Sequence, residues 1–190
     1  MKFHTSKTEI NQLILAWIGL SIAFSILFSG NNLIFTLIGS FVIVGISFLL
    51  HEMMHKVVAQ HYGAWAEFRA NIPMLVLAII MAFFGFIFAA PGAVFILGRL
   101  NPKQNGITSL AGPLTNIILA IIFLAIQFLS ISETITILAG FGFYINSLLA
   151  IFNLIPFGPF DGAKIFYWNK VVWTIALLIS SALFIFSTTF

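Results

Sequence analysis

Cysteine is absent from this chain, and charged residues are scarce. Without cysteine there is no disulfide framework and no thiolate metal site, so histidine and the carboxylates are the candidate metal ligands. Only 7% of the 190 residues are charged, against about 25% in an ordinary soluble domain. Eight basic and five acidic residues leave a net charge of +3 and form no basic patch. No nucleic-acid partner is expected, and the small excess reads as loop anchoring beside a lipid bilayer. What is present is apolar: 61% of the residues are hydrophobic, and the mean hydropathy is +1.14. That is the composition of an integral membrane protein.

Apolar runs cover Leu13 to Phe28, Leu33 to Leu50, Met74 to Ala90, Ile107 to Leu129, Thr134 to Phe152 and Val171 to Phe186. Several lie near the lower limit of the roughly 17 to 25 residues that a helix needs to cross a bilayer. Breaks with turn chemistry fall at Gly30-Asn31-Asn32, Gly63, Pro91-Gly92, Asn101-Pro102, Ser132-Glu133 and Pro156 to Gly162. MKFHTSKTEINQ precedes the first run without a small-residue cleavage site, so that run is expected to be retained as a span. AWAEFRAN alternates polar Trp65, Glu67, Arg69 and Asn71 with Ala66, Phe68 and Ala70, the period of a strand; Ala93 to Leu97 is a candidate partner.

Charge tests the topology. If Met74 to Ala90 does not cross, Lys2, Lys7, Lys56, Arg69, Arg99, Lys103, Lys164 and Lys170 all fall on one side, and the loops at Asn31 and Glu133 opposite have no basic residue. If it crosses, the eight divide evenly. The positive-inside rule favours the first arrangement, with the N-terminus in the cytoplasm. The expectation is an all-α integral membrane helix bundle of five crossing helices. One re-entrant or interfacial apolar segment and a short β element complete it, in a single domain, 1–190, with its core at 33–162.

HEMMH, at 51–55, reads H-E-x-x-H. On a helix, residues four apart lie one above the other, so His51 and His55 can grip one metal ion. Glu52 then reaches a water on the open metal position, where it serves as general base. An uncharged run of 18 residues precedes His51, which at about 1.5 Å per residue puts the pair near the edge of the hydrocarbon core. Snorkelling polar residues at a helix end are the bland alternative, but ionisable groups near a span are costly and usually functional.

A catalytic zinc needs a third ligand. His61 occupies the position used in H-E-x-x-H-x-x-G-x-x-H, but Val58 stands where that arrangement turns on glycine. The helix is therefore expected to run on to about Gly63 and carry His61 to another face. Asp161 is the better candidate, because Pro156, Gly158 and Pro159 must break the preceding helix and can turn its carboxylate back into the bundle. A lone aspartate after a span also serves as an interface cap. The five-crossing topology favours the ligand, since it returns Asp161 to the side on which the second run ends.

HEMMH at the end of one span, AGPLTN early in a later one and NLIPFGPFDG at the end of the next resemble, in that order, three signatures of the site-2 protease family of intramembrane zinc metalloproteases. Asn153, Pro156 and Asp161-Gly162 match the spacing N-x-x-P-x-x-x-x-D-G, and the likeness runs from about Phe48 to Gly162. The resemblance implies one Zn²⁺ per chain held by His51, His55 and Asp161, with Glu52 catalytic, cutting transmembrane or membrane-proximal segments of other proteins. It also implies a multi-pass protein of a prokaryotic cell membrane, with its site towards the cytoplasm. The inserted PDZ domain of some members is missing, so substrate selection must differ from theirs.

Asn116 and Asn153 are candidate substrate-binding residues, since amides there can hold a peptide backbone that has lost its helical hydrogen bonds. The alternative is that these residues and Asn146 only bridge helices. An edge strand at Ala93 to Leu97 can pair with an unwound substrate by β-addition. Gly112, Gly140 and Gly142 read as close-packing positions. A metal-binding transporter or sensor without proteolysis is the rival class, although a transporter should show inverted repeats and a midplane polar site. Two histidines and a carboxylate also suit iron.

Overall fold

The computed structural model describes residues 4–28, 33–87, 91–129 and 131–189. The expected break at Gly30-Asn31-Asn32, the last three residues of the Met74 to Ala90 run, and Lys2 lie outside them. Seven helices and two strands make up the described residues. Five helices are long and apolar enough to cross a membrane: α1 (Lys7–Leu27), α2 (Leu33–His61), α4 (Pro102–Leu129), α5 (Glu133–Asn153) and α7 (Lys170–Ser187).

Side-chain caps start several of them where the sequence turns polar. Ser6, Ser132 and Asn169 each accept a backbone N–H from the first turn of α1, α5 and α7. α2 ends at His61, and Gly63 follows in the left-handed region at φ 80°, a conformation that costs glycine nothing.

Among the described residues the third apolar run forms no helix long enough to cross a membrane. It contributes α3 (Ile72–Ala82), whose 11 residues cover only about 16 Å of a hydrocarbon core about 30 Å thick. Asn71 caps it, and the Asn71 N–H donates to the Pro91 carbonyl at 2.8 Å, so the chain leaves and rejoins the structure at one place. The excursion therefore begins and ends at the same level. Its α3 limb packs on α1 through Leu75, Ala78 and Ala82, with Leu75 pressed against Gly19.

The alternating segment is a strand, as expected. β1 (Trp65–Ala70) pairs antiparallel with β2 (Gly92–Leu97) in a register that sets Phe68 opposite Val94. One core joins α1, α2, α3, α5 and β1 around Leu20, Phe24, Val44, Phe68 and Ile145; a second, around Ile117, Leu154 and Ile165, seats α6 (Asp161–Trp168) between α4, α5 and α7. The start of α1, the end of α2, the sheet, the start of α4 and all of α6 thus gather at one end of the bundle. All described basic residues are at that end, and Glu133 is at the other.

Candidate active site

The last third of α2 brings His51, Glu52 and His55 into the buried end of the bundle. Facing them is a turn of α4 that only glycine can supply. A Cβ on Gly112 would lie 2.3 Å from His55 Nε2 and 2.6 Å from His51 Nε2, so any other residue there would displace the imidazoles. One residue later Pro113 cannot donate to the Ser109 carbonyl, so the helical ladder is interrupted next to Thr108, whose carbonyl accepts from His55.

Each imidazole has its outer nitrogen occupied. His55 Nδ1 donates to the Thr108 carbonyl at 2.7 Å, and His51 Nδ1 meets Asn116 Oδ1 at 2.5 Å. The Asn116 amide is oriented by its own partners, because Nδ2 donates to the Ser47 carbonyl at 3.3 Å and to Asn146 Oδ1 at 3.0 Å. Asn146 Nδ2 donates in turn to Ser47 Oγ and the Gly142 carbonyl, both at 2.8 Å. With both Nδ1 atoms protonated, the neutral rings turn the lone pairs of their Nε2 atoms to each other.

Those Nε2 atoms are 3.1 Å apart, and Asp161 Oδ2 lies 3.0 Å from that of His55 and 3.6 Å from that of His51. Asp161 is placed by the break at the end of α5. Gly158 turns at φ 69°, and a Cβ on Gly162 would come within 2.2 Å of the Leu154 carbonyl oxygen, so a glycine lets the first turn of α6 press against α5. Three electron-pair donors converging on one point repel one another unless a positive charge lies among them. Their separations bracket the about 3.3 Å expected between ligands set about 2.0–2.1 Å from a tetrahedral ion. The donor set fits zinc. A carboxylate at this place belongs with a cation.

Glu52 is buried beside the three donors, and its Oε2 has no hydrogen-bond partner among the described residues. A buried carboxylate oxygen left without a donor is costly unless the site gives it one. It borders two neighbouring spaces that share His51, Gly92 and Asn153 in their walls. The smaller, about 60 Å³, is lined by the three donors, Gly92, Val94, Ile96 and Lys164. The larger, about 590 Å³, opens between β1, β2, the start of α3 and the end of α5, and is lined largely by apolar side chains, with Arg69 at its wall.

The chain is 42% identical over 176 residues to the protein of Methanocaldococcus jannaschii named "Putative zinc metalloprotease MJ0611", a match covering 91% of each. The chain belongs to this zinc metalloprotease family. A second protein of the same archaeon, "Zinc metalloprotease MJ0392", is 31% identical to this metalloprotease-family chain over 71% of the chain and 35% of its own length. "Putative zinc metalloprotease YwhC" of Bacillus subtilis is 30% identical over 63% of the chain and 64% of its own length. No family model matches the chain, and no solved structure matches it.

In this member of the zinc metalloprotease family, the structure brings His51, His55 and Asp161 together and sets Glu52 next to them. It leaves His61 exposed at the end of α2, stacked edge-on with Tyr62 at 5.6 Å between ring centres. Asn153 lines both spaces and donates from Nδ2 to the Leu149 carbonyl at 2.9 Å. Asn116, expected to contact substrate or to bridge helices, is fully buried, and both ends of its amide are held by His51, Ser47 and Asn146. Its oxygen stands where it can orient the His51 ring. The Thr108 carbonyl holds His55, Ser47 holds the Asn116 and Asn146 amides, and Gly112 leaves the space that the imidazoles fill; none of these roles was singled out in the sequence. Ser47 could have been found from its place four residues before His51, on the same helical face.

Proposed function

We propose that the chain is an intramembrane zinc metalloprotease of the site-2 protease kind, hydrolysing peptide bonds in or near transmembrane segments of other proteins. The observation that carries this reading is Glu52 Oε2, without a hydrogen-bond partner among the described residues, beside three converging metal donors in a space walled by a strand edge. A site that only stored or sensed a metal has no use for a buried carboxylate left unsatisfied.

His51, His55 and Asp161 would hold the zinc, which when bound supplies a Lewis acid that polarises a peptide carbonyl and acidifies water. Glu52 takes the proton of the attacking water at Oε2 and passes it to the leaving amine nitrogen as the C–N bond breaks. The outer hydrogen bonds from Nδ1 keep both rings in the tautomer whose Nε2 is free.

Strand β2 holds the peptide. Gln60, Glu9 and Gln12 occupy the outward-facing backbone groups of Ala66, Phe68 and Ala70 on β1. Their partners in the register are Ile96, Val94 and Gly92, so on β2 the backbone of these three faces away from β1. Those same residues line the donor space. A helical peptide bond is shielded by its own hydrogen bonds, and an unwound segment regains them by adding to this edge. The substrate is accordingly a transmembrane protein, met within or just beneath a prokaryotic cell membrane at its cytoplasmic face.

Glu52→Gln is expected to retain about one zinc per chain and to slow cleavage of a helix-prone membrane peptide by roughly a hundred- to ten-thousand-fold. Metal analysis and peptide mass spectrometry on the same preparation check this. Undiminished cleavage by the variant removes Glu52 from the mechanism. Zinc in the wild type with no cleavage of any of a panel of membrane peptides favours the rival, a metal-binding membrane protein.

A further inference from the structure

Strand β1 has two edges, and β2 covers only one. The backbone groups on its other edge must find partners in a dry setting, and they find side chains. Gln60 Nε2 donates to the Ala66 carbonyl at 3.4 Å, the Phe68 N–H donates to Glu9 Oε1 at 3.1 Å, and the Ala70 N–H donates to Gln12 Oε1 at 2.9 Å. The second oxygen of Glu9 accepts from Lys56 Nζ at 2.5 Å, and Lys56 also donates to Thr5 Oγ1 at 2.9 Å. Glu9 and Lys56 are both 0% exposed.

A buried ion pair does little for net stability compared with apolar residues of the same size, because desolvating both charges offsets their attraction. This pair stands where geometry matters. Lys56 follows His55 directly on α2, so the Glu9 carboxylate bridges the helix that carries the metal donors to the strand that carries β2. A substrate paired with β2 in the wrong register is displaced by two residues, about 6.8 Å, which exchanges the bond presented to Glu52 for another.

We propose that Glu9 is a positioning residue: its hydrogen bond to the Phe68 N–H fixes the sheet against α1, which packs on α2, so that one substrate bond is set before Glu52. The proposal rests on the peptide-cutting reading of this site. It differs from a purely structural role in what it requires of Glu9, namely an acceptor oxygen at the Phe68 N–H rather than a charge.

Two double variants separate these roles, both free of an uncompensated buried charge. Glu9→Gln with Lys56→Met keeps the acceptor, and Glu9→Leu with Lys56→Met removes it. Each is compared with the full-length wild type, zinc-loaded in detergent, by hydrogen–deuterium exchange at the β1 amides, zinc content, and mass-spectrometric mapping of the cut in a membrane peptide. In the leucine variant the Phe68 amide is expected to exchange at least about tenfold faster, with about one zinc still bound. Its cuts are expected to spread over neighbouring bonds, with KM raised and kcat little changed. The glutamine variant is expected to keep the wild-type exchange pattern and a single cut. Equal exchange in the two variants, or a leucine variant with wild-type exchange and cut site, overturns the proposal. Should the wild type itself cut nothing, the protease reading fails, and the clasp is judged by the exchange contrast alone.

Discussion

At the scale of single residues, two kinds of group make the site. His51, Glu52, His55 and Asp161 carry charge or lone pairs to one point, and their chemistry marks them in the sequence because ionisable groups are scarce in so apolar a chain. Gly112 and Asn116 act by what they permit or hold, and residue type says nothing of that until the chain is folded. Gly112 looks like any small residue of a packed helix, yet the space its missing side chain leaves is filled by two imidazoles. Asn116 looks like a group for binding peptide, yet its oxygen faces His51 Nδ1. Removing that oxygen frees the ring to rotate and to change tautomer. Asn116→Ala is therefore expected to weaken zinc binding by about ten- to a hundredfold, while leaving the cut site of fully loaded protein unchanged. Zinc competition against a chelator of known affinity measures it; wild-type affinity in a folded variant would mean that His51 is oriented by something else.

The elements show why some features were legible and others were not. The alternation in AWAEFRAN could be read directly, since period two survives without tertiary help, and β1 and β2 form where it points. Apolarity could not tell a span from a short excursion in Met74 to Ala90, because both need the same side chains. What distinguishes α3 is length and the return of the chain beside Asn71, which is tertiary information. Proline tests the role assigned to β2. Val94 faces its backbone away from β1, so a proline there sacrifices no hydrogen bond within the sheet and sits as edge-strand prolines do. It does remove one N–H from the edge offered to substrate. Val94→Pro is expected to keep zinc content and melting temperature within a few degrees of the wild type, and to lower kcat/KM for a membrane peptide by about tenfold. Unchanged cleavage would falsify strand addition at this edge.

For the whole molecule, the site and the charge distribution must be explained together. An even number of crossings between His55 and Asp161 is required if the two are to meet at one end, and α4 and α5 supply two when α3 supplies none. Lys7, Lys56, Arg69, Arg99, Lys103, Lys164 and Lys170 then stand at the metal-donor end, and by the positive-inside rule that asymmetry predicts a site facing the cytoplasm. Because the chain has no cysteine, single introduced thiols report on this without background. His61→Cys lies just before the excursion, Arg99→Cys just after it, and Glu133→Cys at the opposite end of the bundle. In intact cells, a membrane-impermeant maleimide is expected to label only the thiol at position 133. After the membrane is opened it should label 61 and 99 as well. Labelling of 61 and 99 from opposite sides would show that the third apolar run crosses, which would set Asp161 a membrane's width from the histidines it must meet. Labelling of 61 and 99 from outside with 133 protected would leave the bundle intact but turn the metal-donor end away from the cytoplasm.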